Sequence, residues 1–276
     1  VDFGLFIPLL KLKGYRIIGT SHGSPYKREK WGKLAKLYLR VSELVFFKFC
    51  DIITTVQKSQ IEQFRDYKYK LYYIPNGVDA NPKYSDFNFS NYGLEKGKYI
   101  LFACGRLDKT KGLHYLLDAY FLSKINDKLL IIGDFSHDRK YSEFVKSKIQ
   151  NNNNIVVVDK LLPKNVLFTI IKNSKVFVFP SDIEAMSMIL LEAISSKALV
   201  ICSDILENVE IVGENYKYLF KAGSVDDLLD KLLKAVCENE RDKIINSLYE
   251  RIVSKYSWNK IAKEYEALYS KILREN

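Results

Sequence analysis

The strongest constraint in this chain is an alternation. Short β-rich runs, apolar on both faces, recur between segments with helical spacing. Runs at 15–20, 51–56, 71–74, 99–104, 129–132, 155–158, 176–179, 199–202 and 218–220 predict strands. A strand apolar on both alternations is covered on both faces, which is the signature of a parallel sheet. Helical patterns fall between them, at 32–49, 59–67, 113–123, 141–150, 165–172, 187–196 and 225–239. Strand, helix, strand in succession means right-handed βαβ units and an α/β fold. Residues 241–276 read as two more helices, with Ser257 as the expected N-cap of the second.

A break in the pattern suggests the domain organisation. At 76–97 the chain opens with an Asn-Gly turn signal and continues polar and aromatic without clean periodicity, after which Tyr99 begins a fresh βαβ series. The expected division is residues 1–80 as the end of a first Rossmann-like domain, 81–256 as a complete second one, and 257–276 as a closing helix that packs back on the first. The first part holds about three strands, fewer than a free-standing doubly wound domain, so it reads as a truncated half. The chain begins at Val1, not methionine, so sequence upstream is expected to be missing.

Composition narrows the class. Hydrophobic residues make up 47% of the 276, enough for packed cores. No apolar run reaches the ~18 residues of a membrane span. The opening VDFGLFIPLLKLKG lacks the basic start and cleavage site of a signal peptide. Cys50, Cys104, Cys202 and Cys237 form no C-x-x-C pair, and three of them lie in apolar patterns. Reduced, buried thiols and a cytoplasmic location are expected. The net charge of +10 is spread along the chain as lysine, densest at 27–36. Charge of this kind is usually a solvated surface; a nucleic-acid partner would rest on it alone and is not assigned.

Four segments carry candidate chemistry. In Gly105-Arg106-Leu107-Asp108-Lys109-Thr110-Lys111-Gly112 a strand turns into a helix. Ligands of open α/β sheets sit at such turns. Gly105 is expected to let the backbone turn tightly, and Arg106 and Lys111 set two cations beside a helix N-terminus, an arrangement suited to a diphosphate. A solvated, charge-rich loop fits the same residues, and the order is not that of a Walker loop. In Pro180-Ser181-Asp182-Ile183-Glu184-Ala185-Met186-Ser187-Met188, followed by Glu192, two carboxylates flank a helix start. They suit sugar hydroxyls, which donate hydrogen bonds, and the amides of 185–188 suit a phosphate. The bland alternative makes Glu184 a partner of the helix dipole and Glu192 an exposed helical residue. Asp182-Ile183-Glu184 has D-x-D spacing, but such triplets recur by chance and no metal is assigned. His22, in Gly19-Thr20-Ser21-His22-Gly23, is the one histidine of three on a strand-end loop beside glycines. The helix 32–49 follows Lys27, Arg28, Lys30 and Trp31. That mixture suits an anionic membrane surface. We read it instead as a helix packing on the sheet through Leu34, Leu37, Val41 and Val45.

Taken in order, GTSHG, DIITTVQKSQIEQF, YIPNGVD, ILFACGRLDKTKGLHYLLDAY, LLIIGD, VFVFPSDIEAMSMILLEAISSKALVICSD and YSWNKIAKEYEALY resemble the group 1 glycosyltransferases, glycosyltransferase family 4. The paired signal G-R-x-x-x-x-K-G, then P-S-x-x-E-x7-E, in consecutive βα units is its specific part. The resemblance implies a GT-B fold of two Rossmann-like domains with parallel sheets, the first incomplete here. It implies transfer of a hexosyl-type sugar from a nucleotide diphosphate sugar to a glycan or lipid-linked acceptor, as in polysaccharide biosynthesis, with retention and without a metal ion or other cofactor. UDP or GDP is expected as the nucleotide rather than ADP. By resemblance Arg106 and Lys111 bind the diphosphate together with the Gly105 turn. Glu184 contacts the transferred sugar, with Ala185, Met186, Ser187 and Met188 beside it. Glu192 holds the ribose, Lys160 and Leu161 meet the base, and His22 faces the donor sugar. The resemblance also leaves open peripheral contact with the inner face of the membrane. Ala185 stands where the family usually has glycine, the glycine common after the fourth strand of this domain is replaced in VVVDKLLP, and the family's glycine-rich acceptor-side loop would lie upstream of Val1. A non-catalytic nucleotide-binding subunit, or an inactive truncated homologue, is the alternative reading. A nucleotide-sugar epimerase shares the fold but not the motif pattern.

Overall fold

The computed structural model describes residues 3–27, 31–150 and 152–274, so Arg28, Lys30 and Asn151 lie outside the described residues. The chain forms two compact units. One comprises Val1–Gly77 with Trp258–Asn276, the other Val78–Ser257.

In the first unit, α1 (Ile7–Leu12), β1 (Ile18–Ser21), α2 (Lys33–Phe49), β2 (Ile52–Thr55), α3 (Lys58–Gln63) and β3 (Leu71–Tyr73) build a three-stranded sheet in the order β1-β2-β3. Both pairings are parallel. Successive side chains of a strand point to opposite faces, and Ile52 and Ile53 divide accordingly. Ile53 joins Phe46, Phe47, Phe64 and Leu71 on one face. Ile52 and Ile74 join Ile261, Leu268 and Ile272 on the other. The last three belong to a C-terminal helix, Trp258–Arg274, that is part of this unit.

The packing face expected for α2 is not the one it uses. Leu34, Leu37 and Val41 are 84%, 60% and 42% exposed, whereas Leu39, Ser42, Glu43, Phe46 and Phe47 are buried. Two apolar stripes compete on this helix. The stripe ending in two phenylalanines removes more apolar area from water, and Phe47 stacks on Phe64 at 3.7 Å. Gly4 lets its segment lie close against this face, since a Cβ there would sit 2.0 Å from the Ser42 carbonyl oxygen.

The second unit runs β4 (Tyr99–Arg106), α4 (Leu113–Ser123), β5 (Lys128–Asp134), α5 (Arg139–Ile149), β6 (Ile155–Asp159), α6 (Lys164–Lys172), β7 (Val176–Phe179), α7 (Met188–Ser195), β8 (Val200–Ser203), α8 (Leu206–Val212), β9 (Leu219–Phe220), α9 (Val225–Val236) and α10 (Arg241–Tyr256). The C-terminal helix is then α11. The sheet order is β6-β5-β4-β7-β8-β9, with every pairing parallel. This is the doubly wound order, whose direction reverses between the first strand and the fourth, here β4 and β7. Five of six β4 residues from Tyr99 to Cys104 are no more than 1% exposed, so the strand is the axis of the core. Helices α1 and α8, of six and seven residues, are too short to show a period and were not expected from the sequence. Ser257 is extended (φ −63°, ψ 139°) and pairs with Val78, so it separates α10 from α11.

Cys50, Cys104 and Cys202 are buried, while Cys237 is exposed. Burial pushes the thiol of Cys50 up to about 11 and that of Cys104 up to about 12, and it raises Cys202 as well. Reactivity follows the thiolate. One thiol per chain is therefore expected to react rapidly with Ellman's reagent at pH 8, and the other three only after denaturant is added. A second fast thiol in the native protein would contradict this packing.

Candidate functional site

The carboxyl ends of β4 and β7 meet where the strand order reverses, and the two principal motifs sit there. The pairing of β4 with β5 shifts register between Ala103 and Arg106, and Arg106 comes to lie opposite Asp134. The Asp134 carboxyl is held below its ordinary range by the hydroxyl and amide of Ser136, with smaller contributions from His137 and Arg106. Gly105 is part of β4 and is not the turn residue that was expected. It has no positive φ, and a Cβ there would meet nothing within 4 Å. The turn falls later. Lys109–Lys111 form one 3₁₀ turn, capped by Asp108, whose carboxylate accepts the Thr110 amide at 2.9 Å. Gly112 then adopts φ +68°, and a Cβ on it would lie 1.9 Å from the Pro180 carbonyl oxygen. The first motif is thus pressed against the root of the second.

Pro180 lacks an N–H and ends β7. The loop after it is held by the first motif: the Asp182 amide donates to the Thr110 carbonyl at 2.8 Å, and the Tyr115 hydroxyl donates to Asp182 Oδ2 at 3.3 Å. Burial raises the Asp182 carboxyl above its ordinary value. The same fold of chain brings together residues 73 apart: Lys111 Nζ donates to Glu184 Oε1 at 2.7 Å, and Ser181 Oγ donates to that oxygen at 2.9 Å. Both ion-pair members are largely shielded, their side chains 23% and 13% exposed. The carboxylates of Asp182 and Glu184 thus engage different partners. Among the described residues no group of three or more His, Cys, Asp or Glu is placed to hold a metal ion.

Helix α7 starts at Met188, and the cap is the Ser187 hydroxyl, which accepts the Leu190 amide at 3.3 Å. Met186 and Ser187 are buried and Ala185 is partly so. Glu192 is not the exposed helical residue of the bland reading. It is 8% exposed on an otherwise apolar helix, and its carboxylate accepts from Lys164 Nζ at 2.7 Å. A charge this buried needs a partner. Lys164, at the start of α6, carries no sequence signal that distinguishes it from a surface lysine. Lys160 and Leu161 lie exposed on the loop between β6 and α6, with β6 at the edge of the sheet. His22 belongs to the first unit, just after β1. Desolvation lowers its pKa from the ordinary histidine value, which favours the neutral ring at pH 7. The remaining candidates all belong to the second unit.

Known proteins are similar to this chain in sequence and in fold. Residues 85–251 match the family model described as Glycosyl transferases group 1. The chain is 28% identical over 247 residues to an uncharacterized glycosyltransferase of Methanocaldococcus jannaschii, covering 81% of this chain and 60% of that protein. It is 24% identical over 274 residues to the Staphylococcus aureus capsular polysaccharide biosynthesis glycosyltransferase CapM, covering 94% and 71%. Among solved structures it is similar to Anabaena HepE in complex with UDP and glucose, with a TM-score of 0.82 at 14% identity over 96% of this chain and 74% of that one. The fold is GT-B, two Rossmann-like units with parallel sheets. With its family model covering well over half of its length and both motifs set at the switch point of the second sheet, the chain belongs to the group 1 glycosyl transferases.

Proposed function

We propose that the second unit binds a nucleotide diphosphate sugar, and that the protein transfers its hexosyl group, with retention and without a metal ion, to a glycan or lipid-linked acceptor. The observation that carries this reading is the Lys111–Glu184 pair. It joins the residue type suited to a diphosphate with the type suited to sugar hydroxyls in one hydrogen-bonded pair. As the bond from the anomeric carbon to that oxygen breaks, negative charge grows on the leaving diphosphate and the sugar becomes oxocarbenium-like. Arg106 and Lys111 stabilise the first, the role a metal ion plays in other nucleotide-sugar enzymes. Glu184, engaged by Lys111 and Ser181, fixes the sugar hydroxyls. Glu192 takes the ribose hydroxyls, with Lys164 holding its carboxylate in place. UDP is the favoured nucleotide, since the similar HepE was solved with UDP. The capsular relative favours a polysaccharide precursor as acceptor. On this reading the work lies in the cytoplasm, at the inner membrane face where the acceptor is lipid-linked. Among the described residues, no helix is long and apolar enough to cross a membrane.

Calorimetry with UDP, GDP and ADP, with a chelator present, tests the donor site. One nucleotide binds without metal, and Glu192→Ala weakens it by roughly 10- to 100-fold, about 1.4–2.7 kcal/mol, the range for a lost charged hydrogen-bond acceptor. Failure of all three to bind would overturn the reading.

A further inference from the structure

The ladder between β7 and β8 ends at the pair Phe179 and Cys202, yet the strands stay tied beyond it. Ser203, the last residue of β8, donates its hydroxyl to the Ser181 carbonyl at 2.5 Å. Asn208 in α8 donates its side-chain amide to the Ser203 carbonyl at 3.1 Å and to the Ser203 hydroxyl at 3.0 Å. Ser181, Ser203 and Asn208 are all 0% exposed. The direction of the relay is forced. A carbonyl only accepts, so the amide nitrogen of Asn208 must face Ser203, and a hydroxyl that accepts from Asn208 commits its single proton to Ser181. The side chain of Ser203 thus ties β8 to the Ser181 carbonyl one step beyond the end of the ladder.

What is held is the peptide from which the second motif springs. Ser181 sends its own hydroxyl to Glu184 Oε1, and the neighbouring Asp182 amide is tied to Thr110 on the other side. The loop carrying Glu184 is clamped between the end of β8 and the first motif. Buried polar bonds rigidify what they hold. The bonds that bear on the loop, from Asn208 Nδ2 to Ser203 and from Ser203 to Ser181, are all made, while Asn208 Oδ1 on the far side of the amide is buried without a partner among the described residues. Side chains locked in this way set a binding group to within fractions of an ångström.

We infer that Ser203 and Asn208 are positioning residues that act through Ser181 to set where the Glu184 carboxylate meets the transferred sugar. The inference rests on the reading of Glu184 as the sugar contact, and it adds two residues on a strand end and a helix that the motifs do not include. Ser203→Ala removes one hydroxyl and leaves the volume almost unchanged. Asn208→Ala approaches the same relay from its other end.

The test compares affinity for UDP with affinity for UDP-glucose by calorimetry, alongside thermal unfolding, in the parent chain, Ser203→Ala, Asn208→Ala and Glu184→Gln. The expected result is that Ser203→Ala binds UDP within about twofold of the parent but loses at least fivefold of its UDP-glucose affinity, as Glu184→Gln does. An equal loss for both ligands in both relay variants would make the relay merely structural and overturn the proposal. So would unchanged affinity for both. If Ser203→Ala or Asn208→Ala does not fold, the other variant decides by the same ratio. If Glu184→Gln shows no sugar-specific loss, the reading of Glu184 falls, and this inference falls with it. If Glu184→Gln shows it and the relay variants do not, only the inference falls.

Discussion

Lys111→Ala is expected to lower kcat/KM for sugar transfer by about 10²–10³-fold, the loss typical of removing one preorganised group that meets developing charge. Two effects act together. The leaving diphosphate loses a cation, and Glu184, only 13% exposed at its side chain, loses the ammonium 2.7 Å away. Breaking a shielded ion pair from one side costs more than the pair contributes, even though Ser181 still donates to Glu184 Oε1. The two effects separate in a double-mutant cycle with Glu184→Gln. Steady-state transfer assays of the four chains give the coupling. If the residues act as one unit, the double variant is hardly slower than Lys111→Ala alone. A Lys111→Ala chain that keeps a tenth of the parental kcat/KM would refute the assignment.

The second large effect is structural. Gly112→Val is expected to destabilise the second unit by about 3 kcal/mol or more and to abolish nucleotide binding. The φ of +68° costs a β-branched residue about 1–3 kcal/mol. A Cβ there would lie 1.9 Å from the Pro180 carbonyl oxygen and 2.8 Å from its carbon, both backbone atoms that move only with the whole β7 turn. Gly105→Ala, in the same motif, meets nothing within 4 Å and has ordinary φ, so its stability should change by no more than about 0.5 kcal/mol. Urea unfolding of both variants measures the contrast. Equal effects would mean that the close contact between the two motifs does not hold in solution.

The sequence alone determined a good deal. The βα alternation, the parallel sheets and the place of both motifs at strand-to-helix turns follow from local quantities: which residues are apolar on both faces of a strand, where Gly and Pro punctuate, and which charges are covalent neighbours. Periodicity is local, and so it was legible. The resemblance carried by seven short stretches followed from the same local text.

Tertiary structure decided the rest, because it turned on competition between distant groups. The choice of face on α2 went to Phe46 and Phe47 over Leu34 and Leu37, since a helix with two apolar stripes buries whichever removes more area from water. The turn glycine of the first motif is Gly112 and not Gly105, since only the packing of Gly112 on Pro180 makes the demand. Strand order placed β4 beside β7, and that adjacency brought Lys111 to Glu184. Burial made Glu192 need Lys164, and it gave Ser203 and Asn208 their hold on the loop. A spacing along the chain says which face a residue takes within its own element, but a side chain buried against another element is paired by the order in which the strands assemble, and that order is written in no single segment.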